Sequence, residues 1–113
     1  MKNKPDIKRA IPQRRYKYGE FEVVLLSDIE SGDDRDYRYI IAVVREGESA
    51  PGMYITCERA PADACPVRLI MRDGVQLLAE DARLKDLDVF CDTGLDVVSQ
   101  VLNLRDEEPY RLQ

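Results

Sequence analysis

Between Glu20 and Ala79 the chain repeats one pattern five times, a short run of β-branched, aromatic and aliphatic residues bounded by turn-forming residues, and this succession commits it to a sheet. The runs are residues 20–29, 37–44, 53–58, 67–72 and 75–79. The first opens with Glu-Phe-Glu-Val alternation and then becomes continuously apolar, as a strand covered on both faces does. Ser31-Gly32-Asp33-Asp34 separates the first two runs, Gly47 and Pro51-Gly52 the next two, and the Arg59 to Pro66 stretch, with its two prolines, forms a loop before the fourth. Between the last two stands Asp73-Gly74, which predicts a two-residue type I′ hairpin because both residues tolerate positive φ.

The C-terminal third changes period. Residues 82–87 read as a helical turn and residues 87–91 as a last short strand. Thr93 then stands as an N-cap with Asp96 three residues on, and Leu95, Val98, Val101 and Leu102 make an apolar stripe that needs a sheet to cover it. The helix is expected to end near Leu104, and the polar stretch 105–113, broken by Pro109, to fray. The fold class is therefore α+β: an antiparallel meander of five to six strands, bent or closed into a small barrel, with one C-terminal helix packed on it. In its order of elements alone it is similar to pleckstrin-homology domains, a likeness of architecture that carries no function. Three segments follow: a basic, partly disordered N-terminal arm over 1–17, a single domain over 18–104 and a polar tail over 105–113.

At 113 residues the chain has room for one core. It contains no histidine, which removes Ser-His and Cys-His nucleophile pairs and imidazole metal sites. Cys57, Cys65 and Cys91 lack any Cys-x-x-Cys spacing and read as free thiols of a reducing compartment. The acidic group Asp28, Glu30, Asp33, Asp34 and Asp36 has neither the offset nor the closing glutamate of an EF-hand loop, so it reads as a solvated hairpin tip. Neither a metal nor a cofactor is implied. No apolar run suits a membrane span and no apolar segment follows the first charges, so a cytoplasmic protein is expected.

Charge is divided unevenly. Residues 1–17 carry seven basic side chains against Asp6 alone, whereas residues 18–113 carry ten basic and twenty-one acidic ones. Lys8, Arg9, Arg14, Arg15, Tyr16, Lys17 and Tyr18 mix cations with aromatic rings as single-strand nucleic-acid binders do, and Tyr37-Arg38-Tyr39 repeats the motif. On a strand, paired tyrosines share one face and the basic residue between them takes the other. The same cations can instead lie on their own acidic body. Three functions remain in view. The first is a non-enzymatic protein-interaction module that uses a strand edge to take a partner's strand or a second copy of itself. The second is a nucleic-acid-associated protein using residues 8–18, and the third an enzyme built on carboxylates and arginines.

Overall fold

The computed structural model describes residues 3–113. In chain order its strands are β1 (Ile7–Tyr18), β2 (Phe21–Ser31), β3 (Tyr37–Arg45), β4 (Met53–Glu58), β5 (Pro66–Met71) and β6 (Gly74–Glu80), then helix α1 (Leu87–Val101) and the short β7 (Tyr110–Arg111). The seven strands form one open antiparallel sheet in the order β6-β5-β4-β3-β2-β1-β7. Apart from β7, which returns to β1, each strand is paired with its neighbour in sequence, so the meander is built from local connections.

Period-2 alternation divides the sheet into two faces. Val23, Leu25, Ile41, Val43, Met53, Ile55, Cys57, Val67 and Leu69 point to one side and form the main core with Phe90, Cys91 and Val98 of α1. Ile40, Ala42, Tyr54 and Ile70 point to the other side, where a smaller cluster is completed by Tyr37, Ile7, Leu26 and Ile29. The sheet covers part of this second face itself. Register shifts within β1 at 7–11 and 12–14 mark irregularities in the long β1–β2 hairpin, which lets Ile7 and Ile29 reach the cluster. A register shift between Tyr37 and Tyr39 sends those two rings to opposite faces, correcting the expectation that they share one. Tyr39 stacks on Phe90 with ring centroids 5.4 Å apart and donates to the Lys85 carbonyl at 2.6 Å.

The helix starts earlier than expected. Asp86 is the N-cap, its carboxylate accepting from the backbone N–H of Asp88 at 2.9 Å and Val89 at 3.2 Å, so residues 87–91 are helical and Thr93 is interior. Val89-Phe90-Cys91 resembles a strand locally, but Phe90, Cys91, Gly94 and Val98 are the buried positions of a helical repeat. The helix ends at Val101, where Asn103 at φ 56° and the Leu104 N–H to Ser99 carbonyl bond of 2.8 Å make a Schellman-type stop. Val101, placed in the apolar stripe from sequence, is left exposed.

Three further expectations are revised. Residues 7–17 of the proposed arm are the body of β1, and Met1 and Lys2 lie outside the described residues. The tail is tied down: Tyr110 pairs with Lys17 and Arg111 with Tyr16, and the Leu112 N–H donates to the Arg15 carbonyl at 2.7 Å. The β5–β6 hairpin forms, but Met71 pairs with Gly74, so Arg72 and Asp73 occupy the loop and only Gly74 has positive φ. The glycine opens the strand rather than sitting inside a type I′ turn.

Candidate interaction surface

The basic segment is absorbed by the sheet. Lys8 meets Asp6 at 3.4 Å, Arg9 meets Glu30 at 3.0 Å, Arg15 meets Glu22 at 2.8 Å and Lys17 meets Glu46 at 2.8 Å. Arg14, largely buried, pairs with Asp88 at the start of α1, and that bond holds its guanidinium still more firmly charged. Lys17 in turn holds the Glu46 carboxyl below the usual glutamate range. Tyr16 and Tyr18 belong to the main core, and the Tyr16 hydroxyl lies 3.4 Å from Cys91 Sγ. Burial and that thiol push the Tyr16 phenol up. The structure therefore brings the seven residues into one strand, with the charges opposite carboxylates and neither ring presented to solvent for a base to stack on.

The two edges of the sheet differ in kind. Natural edges are blunted by lysine, proline, bulges or a covering segment. The β1 edge has all four, in Lys8 and Lys17, Pro12, the register shifts and β7. The β6 edge has no lysine and no proline, and its one charged residue, Glu80, is at its end; its sole register shift lies toward that end. Val75 is 42% exposed and Leu77 51% exposed on this strand, and on the helix side of the sheet Val101 of α1 is also exposed, beside a shallow groove lined by Leu69, Met71 and Gln76.

Backbone geometry makes the β6 edge regular over its first half. Met71 and Gly74 close a two-residue hairpin as a hydrogen-bonded pair, so along β6 the residues bonded to β5 are Gly74 and Gln76. The N–H and C=O groups of Val75 and Leu77 point away from the sheet. Sequence reading placed this strand but could not show that it ends the sheet.

Other regions offer less chemistry. A cavity of about 510 Å³ at the β3–β4 turn is lined by Lys4, Phe21, Arg45, Tyr54 and Arg72, with Glu48 as its single carboxylate. The Arg45 guanidinium lies 5.2 Å over the Phe21 ring and 3.5 Å from Glu20. The acidic group at the β2–β3 turn is internally engaged. Asp33 accepts from the N–H groups of Asp6 and Arg35 and from the Tyr37 hydroxyl, all at 3.0 Å. Burial alone would push this carboxyl up, yet the three bonds outweigh it and hold it below the usual aspartate range. Asp36 pairs with Arg59 at 2.9 Å. Among the described residues no three Cys, Asp or Glu side chains converge as metal ligands. The three thiols are free and buried, and burial beside Cys65 pushes Cys57 up to about 12.

Comparison of the chain with protein-family models, with curated proteins and with solved structures found no match.

Proposed function

We propose that this chain is a non-enzymatic protein-interaction module that takes an extended strand onto its β6 edge. The observation that carries the reading is the contrast between the guarded β1 edge and the unguarded β6 edge, whose Val75 and Leu77 offer both free backbone groups and exposed apolar side chains. An added strand would satisfy those backbone groups and lay its own side chains beside Val75 and Leu77 on the face away from α1.

The test is a lysate capture comparing the full chain with Val75→Lys/Leu77→Lys, which charges the edge without touching the core. Protein retained by the unmodified chain and lost from the variant supports the reading. Equal recovery by both overturns it, and so does recovery by neither when the chain itself sediments as a single copy. Nuclease-treated and untreated samples run in parallel separate this outcome from nucleic acid held by residues 8–18, whose binding would weaken steeply with salt.

A further inference from the structure

We infer that the strand β6 accepts is β6 of a second copy, in a two-fold antiparallel pairing centred on Gln76. The inference rests on the interaction-module reading and adds the partner and the register.

Two identical antiparallel strands related by a two-fold axis through the sheet must place one residue opposite itself, because facing residues share a side of the sheet. The outward backbone groups of β6 belong to Val75 and Leu77. Centring on Gln76 sets Val75 opposite Leu77 of the second copy and Leu77 opposite its Val75, so each becomes a hydrogen-bonded pair. Four backbone bonds form with no group left over in this stretch. The two apolar side chains, which share the face opposite the helix because they pair with Ile70 and Arg68, pack across the axis. Gln76, paired with Leu69, stands on the helix side and meets its own copy there in a non-hydrogen-bonded pair.

Strand regularity agrees with this register. The register shift of β6 follows Leu77, opposite the step from Val67 to Arg68, and leaves the paired residues 74–77 regular. Centring on Leu77 instead would carry the pairing across that irregularity and set Val75 opposite a residue beyond it.

The experiment uses the full chain and three readouts. Sedimentation equilibrium over a concentration series is expected to rise from the 13.0 kDa chain mass toward twice that value. Gln76→Cys, exposed to glutathione disulfide, is expected to form a 76–76 disulfide with release of two glutathione thiols. Leu77→Cys, a diagonal neighbour of its copy, is expected to link slowly. Val75→Lys/Leu77→Lys, which sets lysine opposite lysine across the axis, is expected to return the mass to one chain. A mass that stays at one chain up to millimolar concentration overturns the self-pairing. So does a dimer that survives Val75→Lys/Leu77→Lys, or one that links faster through residue 77 than through 76. In the monomeric case the capture experiment decides the parent reading separately: β6-dependent recovery leaves the module standing with another protein as partner, and its absence removes both.

Discussion

Gly94 lies in the interior of α1, where glycine ordinarily costs about 1 kcal/mol relative to alanine. Replacing it with alanine should therefore stabilise an exposed helix, yet here the opposite is expected. A Cβ at position 94 would overlap Ile41 Cδ1 and approach Ile41 Cγ1 at 3.7 Å and Ile55 Cδ1 at 3.9 Å. Ile41 is 1% exposed, so the methyl has nowhere to go without disturbing the β3–β4 core. Overpacking costs about 1–3 kcal/mol, which set against the propensity gain leaves Gly94→Ala less stable by about 1 kcal/mol. Ile41→Val removes the obstructing methyl at about 1 kcal/mol of its own. In that background the alanine meets no obstruction and should stabilise by up to about 1 kcal/mol, giving a coupling of about 2 kcal/mol between the sites. Urea unfolding of the four chains, followed by far-ultraviolet circular dichroism, reads the cycle. With a slope near 1–2 kcal/mol per molar, the midpoint of Gly94→Ala should fall by about 0.5–1 M. A midpoint that rises in the unmodified background, or two effects that simply add, refutes the account of why glycine stands there.

Thr56 is fully buried and its hydroxyl has no hydrogen-bond partner among the described residues, so Thr56→Val should raise unfolding stability by about 1 kcal/mol; a loss would mean the hydroxyl is satisfied. Asp33 has a folded pKa below its ordinary 3.8, so its contribution is present above about pH 4 and is lost as pH falls through the folded value. Asp33→Ala should cost about 1–2 kcal/mol at pH 7 and flatten the decline below pH 4, and an unchanged acid slope in urea titrations would refute this. Cys57 runs the other way: its thiol is raised from 9.0 to about 12, so the unfolded chain ionises first and stability should decline from about pH 9 toward 12. At neutral pH all three cysteines should resist iodoacetamide until the chain unfolds, and one thiol alkylated at the denatured rate would contradict their burial.

The strands from Glu20 to Ala79 were legible because each combines β-branched apolar residues with turn chemistry at its ends, and both signals act over a few residues. β1 was not legible. Its neighbours in sequence show scattered cations and Pro12, and what holds it in place is distant: Glu22 and Glu30 on β2, Glu46 after β3 and Asp88 on α1. The excess of base in residues 1–17 and of acid beyond them is a real property of the sequence, but only folding reveals that the two compensate each other across the sheet. The start of α1 failed similarly, since Val89-Phe90-Cys91 has strand character until Asp86 caps the turn before it.

The sequence by itself thus determined the class of fold, the antiparallel meander and the single helix, because periodicity and turn residues express local backbone preference. It also removed histidine chemistry outright. Only the tertiary structure decided which strand would be left at an edge. Nothing in Gly74–Glu80 says that no strand follows it in the sheet; that outcome arises because α1 packs on the face and β7 returns to β1. The free donors and acceptors of Val75 and Leu77 are a property of sheet order and pairing parity, which are set by contacts far apart in the chain.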